Sequence, residues 1–282
     1  MRLMFVTIAA ALTGAIAIAG SGAASSGRSA GPPTLVHDGT LTVATYGTGF
    51  PTIVVNKNGM IGGTSGAWIN AYAKANGLKV KLFQTTFTSA ILAVQQKKAD
   101  LTMDIYYTPE RAKSLYYTYP FSVEGLQVFT KSDFPYTGPS SLKGHKVAAV
   151  SGVVWTDALK KYFGSDLQAF PSQAQAATAF MNGQVDAYFE ADAQYFVPPI
   201  NKSTKVTPHN LKDGQFGLTG YAKGFGYNIV NCGAKDLAAG LNATLTQLEK
   251  SGQWAAVLKQ AGAPAGTLAA QIPPRTSPKQ GC

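Results

Sequence analysis

Twice along this chain, stretches that read as strands alternate with stretches that read as helices, and no other feature constrains the fold more. The first run covers residues 40–105. Its "TLTVATY" (40–46) has a strand's β-branched content, and "LKVKLFQ" (78–84) alternates like a half-buried strand. Between them comes an "NKNG" turn (56–59), then "GAWINAYAKAN" (66–76), which sets Trp68, Ile69 and Tyr72 on a helix that Gly77 is placed to end. "TSAILAVQQKK" (88–98) predicts a second helix and "ADLTMDI" (99–105) a third strand. The second run follows the strand "LQVFTK" (126–131). It has strands at 145–151, 166–170 and 184–190, with helices at 155–163 and 173–183 between them. A strand "GFGYNIV" (224–230) and helices at 234–250 and 252–261 close the chain. This order predicts an α/β protein with largely parallel sheets in two lobes, each large enough for its own core, and a ligand where they meet.

The N-terminus predicts export. Arg2, the apolar run "LMFVTIAAALTGAIAIAG" and the small residues "SGAASSG" have the layout of a cleavable secretory signal. We expect a signal peptide over 1–23, a Ser/Gly/Pro-rich linker over 24–37, and a periplasmic protein. In an oxidising compartment the two cysteines, Cys232 and Cys282, are expected to form a disulfide that pins the C-terminal tail. Two cysteines cannot make a zinc site alone, and His37, His145 and His209 stand in no ligand spacing, so no metal or other cofactor is expected.

The formal charge is +10, yet the 24 Lys and Arg residues are scattered singly or in pairs such as Lys97-Lys98. No basic run tracks a phosphate backbone, so nucleic acid is not an expected partner. The excess charge serves solubility. With 45% of residues hydrophobic and 13% charged, the chain has the composition of a folded globular protein, expected to be a monomer.

One stretch points to chemistry. In "MDIYYTPERAKSLYYTYPF" (103–121), Thr108 can cap a helix, Pro109 suits its first position and Glu110 its positive end. Arg111 does not suit it, because a cation in the first turn opposes the helix dipole at roughly 0.3–1 kcal/mol. For Tyr107, Tyr116 and Tyr117 we expect ordinary core packing.

These residues resemble those of the family 3 extracellular solute-binding proteins, the periplasmic receptors of polar amino-acid ABC transporters. "LTVATY…FP…NKNG" resembles that family's first strand and turn, and "AILAVQQKKADLTM" its helix-strand step. "YYTPERAK" resembles the signature "ITPERAK", followed by "YTYPF". "SSLKGHKVAAVSG", "AFMNGQVDAYFEAD" and "LNATLTQLEKSGQWAAVLKQ" resemble later segments, in the family's order. The resemblance spans about 40–262. It implies the two-lobed type II periplasmic binding architecture, with two hinge strands, closing around a solute. Lobe 1 is then 38–125 with 226–282, and lobe 2 is 126–225.

The resemblance gives Arg111 the role of a bidentate partner for a ligand carboxylate. Elsewhere the chain departs from the family pattern. The Gly-Thr-Thr anion contact reads Gly152, Val153, Val154, without its hydroxyls, and Trp155 follows it. The aspartate that holds a ligand ammonium aligns with Ala191, flanked by Glu190 and Asp192. An aromatic near the first strand aligns with Gly49, beside Phe50. Asp104, Glu190 or Asp192 is expected to serve an amine, and Tyr46, Phe50, Tyr106 and Trp155 to wall an apolar or cationic group. Asp104 also stands close enough in sequence to pair with Arg111 internally.

The expected function is capture of a small polar solute for an ABC transporter permease, an amino acid being the family default. The chain is expected not to be an enzyme. The alternatives are a periplasmic enzyme of cyclohexadienyl dehydratase type, with Glu190, Asp192 or Asp104 as acid or base, and an accessory binding protein not coupled to transport.

Overall fold

The computed structural model describes residues 33–47, 53–55, 60–191, 200, 203–261 and 268–282. The expected signal peptide, the "NKNG" turn, Phe50 and Asp192 lie outside the described residues. Among the described residues no helix is long and apolar enough to cross a membrane.

In chain order the first part of the fold is β1 (Thr40–Thr45), β2 (Val54–Val55), β3 (Ile61–Gly62), α1 (Gly63–Ala75), β4 (Lys79–Gln84), α2 (Phe87–Gln95), β5 (Leu101–Ile105), α3 (Pro109–Ala112) and β6 (Leu115–Glu124). It continues with β7 (Leu126–Lys131), β8 (Val147–Val150), α4 (Thr156–Phe163), β9 (Leu167–Phe170), α5 (Gln173–Met181), β10 (Ala187–Ala191), β11 (Val206–Asn210), β12 (Gly224–Asn231), α6 (Lys235–Lys250) and α7 (Gln253–Gln260). Two five-stranded sheets result, ordered β4-β1-β5-β12-β6 and β11-β7-β10-β8-β9, with β2 and β3 as a separate pair. β1 runs parallel to β4 and β5, while β12 is antiparallel to β5 and β6. In the second sheet β8 runs parallel to β9 and β10, and β7 is antiparallel to β10 and β11. The fold is the expected α/β architecture of two sheets, one per lobe, but the sheets are mixed and not largely parallel, because β12 pairs antiparallel with β5 and β6, and β7 with β10 and β11.

Helix starts follow the sequence signals. Thr86, Thr108 and Ser172 each cap a helix by accepting a backbone N–H three residues on. Gly77, at φ +65°, ends the helix containing Trp68. That helix begins at Gly63, three residues before the expected start, because "GTSG" is drawn into it by burial of Thr64, Ser65 and Gly66. The helix bearing Arg111 is a single turn of four residues. Of the expected core tyrosines, Tyr117 is fully buried, while Tyr107 and Tyr116 are partly buried against the same core.

β6 and β11 have no counterpart among the expected strands. β6 contains Pro120, tolerated because β6 is the outer strand of its sheet. The 10-residue strand is nevertheless buried along most of its length. On one side it meets β12, and on the other the C-terminal tail. Gln280 Nε2 donates to Tyr117 O and Gln280 Oε1 accepts from Tyr117 N, both at 3.0 Å. Arg275 pairs with Glu249 and donates to Pro120 O. The tail ends at the expected disulfide, Cys232–Cys282, with a Cα–Cα distance of 5.8 Å.

The two lobes are joined where β6 passes into β7 through Gly125 and where the chain returns through Tyr221–Gly224. The crossings lie side by side: Leu126 N donates to Tyr221 O at 2.9 Å, and Gly224 is in register with Glu124. A Cβ on Gly125 would sit 2.9 Å from both Ala222 O and Leu268 Cδ1, so the crossing is tightly packed there.

Candidate functional site

The cleft between the lobes is lined by Tyr46, Asp104, Tyr106, Arg111, Val153, Trp155 and Glu190, all expected from the sequence. Its volume is about 610 Å³, open mouth included. Gly152 meets the site differently, through its carbonyl. Glu124, Phe87, Gln173 and Ala191 line the same cleft and were not expected as ligand contacts.

β5 delivers Asp104 at its C-terminal end, in a left-handed conformation with φ +58°. A non-glycine residue there is uncommon, and such strain concentrates at functional positions. Two neighbours hold it: Ser122 Oγ donates to Asp104 Oδ1 at 3.2 Å, and Tyr46 OH donates to Asp104 O at 2.9 Å. The facing strand β12 supplies room by having no side chains at two points. A Cβ on Gly226 would collide with the Asp104 carboxylate and Ser122 Oγ, and one on Gly224 with the Tyr106 ring. The sequence signal was "GFG" itself, since glycine inside a strand marks a close approach.

Arg111 does not pair with Asp104. Its Nη1 donates to Tyr106 O at 2.9 Å and its Nη2 to Gly152 O at 2.8 Å. The guanidinium carbon lies 5.5 Å from the Phe87 ring centre, a cation–π distance. Burial lowers the pKa of Arg111 from its usual range. The guanidinium is charged at any physiological pH all the same.

Glu190 is 2% exposed and sits on β10, with its carboxylate held by Tyr188 OH at 3.0 Å and Ala191 N at 2.9 Å. Desolvation pushes its pKa up to about 7, against the hydrogen bonds that favour the ionised form. Glu124, 3% exposed, stands at the first lobe crossing. The charges of Asp104, Glu124 and Glu190 all raise the pKa of the Tyr46 hydroxyl, after desolvation, while Arg111 lowers it. All three carboxylates line the one cleft. Its walls are aromatic: the Tyr106 and Trp155 rings meet edge to face at 5.6 Å across the lobes. Trp155 Nε1 and Gln173 Oε1 are buried with no hydrogen-bond partner. Among the described residues no group of three or more His, Cys, Asp or Glu is arranged to hold a metal ion.

Glu124 was missed because nothing in its segment, "FSVEG", sets it apart, and only the crossing between the sheets brings it into the cleft. Gln173 was missed because helix positions carry no signal of which lobe they face.

Two sheets joined by paired crossings, with a charged and aromatic cleft between them, define a two-lobed solute-binding protein. Residues 41–263 match the bacterial extracellular solute-binding proteins, family 3, and the chain belongs to that family. A probable amino-acid ABC transporter-binding protein of Haemophilus influenzae is 29% identical over 173 residues, 59% of this chain. The match spans 66% of that relative's length, just under two thirds. The arginine-, lysine-, histidine-binding protein ArtJ from Geobacillus stearothermophilus is similar in structure, with TM-score 0.68 and 22% identity, over 83% of this chain and 96% of that one. The ancestral amino acid-binding protein AncCDT-1, a precursor of cyclohexadienyl dehydratase, superposes with TM-score 0.66 at 24% identity, over 79% and 95%.

Proposed function

We propose that this protein captures a small solute carrying a cationic nitrogen, in the periplasm, and delivers it to an ABC transporter permease. The observation that carries the reading is that Asp104, Glu124 and Glu190 line one cleft, against a single guanidinium among its described residues. A buried ammonium or guanidinium needs such partners, and Tyr46, Tyr106 and Trp155 supply aromatic faces beside them. The departures at Val153, Val154 and Ala191 fit a solute held by different groups from the family default. Lobe 1 is taken as 38–125 with 226–282 and lobe 2 as 126–225, the solute closing one on the other. The likeness to a binding protein for arginine, lysine and histidine is consistent with a cationic solute.

Calorimetric titration of the purified protein at pH 8 with a panel of amines, guanidines, neutral amino acids and dicarboxylates tests the reading. Cationic members should bind and Glu190→Gln should weaken them at least tenfold; preference for dicarboxylates would refute it.

One observation favours an enzyme as the second reading: Glu190 is buried in the cleft with a pKa near neutrality, as a general acid requires. The carboxylates around it oppose the anionic cyclohexadienyl acids that a dehydratase of this fold would take. Product formation from prephenate or arogenate, abolished by Glu190→Gln, would establish it over capture.

A further inference from the structure

We propose that the C-terminal tail is a brace for Arg111, with Gln280 and Gly281 as its positioning residues. This deepens the cationic-solute reading and rests on it only for the choice of ligands in the titration. The family match ends at residue 263, so the tail, residues 268–282, lies outside the matched span.

Arg111 has a task that demands placement. Two of its N–H groups go to Tyr106 O and Gly152 O. A guanidinium has five, and the other three serve an anionic group of a solute in the cleft that Arg111 lines. Its rigid fork matches a carboxylate only when the element beneath it is held in place. That element is α3, a single turn of four residues. A helix so short has no stability of its own and keeps its position through tertiary contacts.

The tail supplies such contacts at two points. At the end of α3, Gly281 packs directly on the backbone. A Cβ there would stand 2.7 Å from Ala112 O and 3.1 Å from Lys113 N, so only glycine allows this approach. The next residue, Cys282, is fixed twice: by its disulfide to Cys232, and by Lys235 Nζ, which donates to Cys282 O at 2.7 Å. The second point is Tyr117, whose backbone N–H and carbonyl are both taken by the Gln280 side chain at 3.0 Å. The Tyr117 hydroxyl reaches Tyr106 O at 3.4 Å, the same carbonyl that receives Arg111 Nη1 at 2.9 Å. The Tyr117 ring also meets Tyr107 edge to face, with 5.3 Å between centres. Two neighbouring tail residues therefore hold the end of α3 and, through Tyr117, the carbonyl that orients its guanidinium.

Such a brace acts on one part of the solute. Asp104 and Glu190 stand on β5 and β10, away from the contacts of Gln280 and Gly281. Loosening the tail should cost a bound solute the partner of its carboxylate, while its cationic nitrogen keeps its own.

Hydrogen–deuterium exchange of the solute-free full chain is the first test. Gln280→Ala and Gly281→Ala should each speed exchange at least threefold in the peptide covering α3, with β1 unchanged. Exchange in α3 equal to wild type would overturn the brace. Faster exchange in β1 as well would show a general loss of stability and overturn it too.

Titration with arginine and agmatine, which differ by the carboxylate, is the second. Wild type should bind arginine at least tenfold tighter. Each variant should cut that preference at least fivefold while holding agmatine within twofold. Equal losses for both ligands, or a preference absent from wild type or intact in the variants, would overturn the proposal and keep the cationic-solute reading. Binding of neither ligand by wild type would remove that reading, and exchange faster only in α3 would still support the brace.

Discussion

At the scale of single residues, Glu190 sets the pH behaviour of the fold. Its carboxyl titrates near 7 rather than the ordinary 4.5, so between those values the folded state holds the proton more tightly than the unfolded chain. The contribution of this group to stability is therefore greatest below about pH 4.5 and is lost as pH rises to about 7. The loss is on the order of 3 kcal/mol. Urea unfolding of the solute-free protein at pH 5 and pH 8 should show that loss in the wild type, and Glu190→Gln should flatten it. Gly224→Ala tests a different constraint. Its methyl meets the Tyr106 ring, and the displaced ring should lower stability by about 1–3 kcal/mol. It should also weaken solute binding in the same calorimetric titration. Much of this site was legible in the sequence. Arg111 stood out because a cation in a first helical turn opposes the helix dipole, and Asp104 and Glu190 because the resemblance set them beside positions that hold ligand in the family. The destination of Arg111 was not legible, since Gly152 O is a backbone atom 41 residues away that no side-chain pattern reports.

Among the elements, those with local signals were readable and those held by tertiary contacts were not. Thr108 and Pro109 define the start of α3 whatever surrounds it, and the alternation from Lys79 to Leu82 marks β4. β6 contains a proline and nearly unbroken apolar residues, so its strand character comes from pairing with β12. β11 also carries a proline, Pro208, and is held as the outer strand beside β7. α6 shows the opposite balance: Leu237, Ala238, Leu241 and Leu245 fall on one face and bury it, so periodicity alone located it. The tail is an element without regular structure, fixed by Arg275, Gln280 and the disulfide. The disulfide closes a 50-residue separation, for which chain entropy in the unfolded state gives about 2–4 kcal/mol. Cys282→Ser should lower the unfolding free energy by that amount, and a reductant should lower the melting temperature of the wild type but not of the variant.

For the molecule as a whole, the paired crossings are where the chain passes from one sheet to the other. Gly125→Val would push a branched side chain against Ala222 O and Leu268. Thermal unfolding should detect a loss of about 1–3 kcal/mol, and scattering should show a changed lobe separation. A valine tolerated with neither effect would mean that the crossing yields more than its packing suggests. The tail has a consequence for how copies of this protein meet. An outer strand normally presents unpaired amides that a neighbouring chain can adopt as its own ladder. Along the middle of β6, from Tyr117 to Pro120, those groups are already occupied. The Gln280 side chain acts as a stand-in peptide for both polar groups of Tyr117, Asn242 accepts from Tyr119 N, and Arg275 takes the carbonyl of Pro120, which has no N–H to offer. On the opposite border of that sheet, β4 carries Lys79 and Lys81. From Tyr117 to Pro120 the lobe 1 sheet is closed to extension, and crowded copies sliding past one another find no rung there to bind.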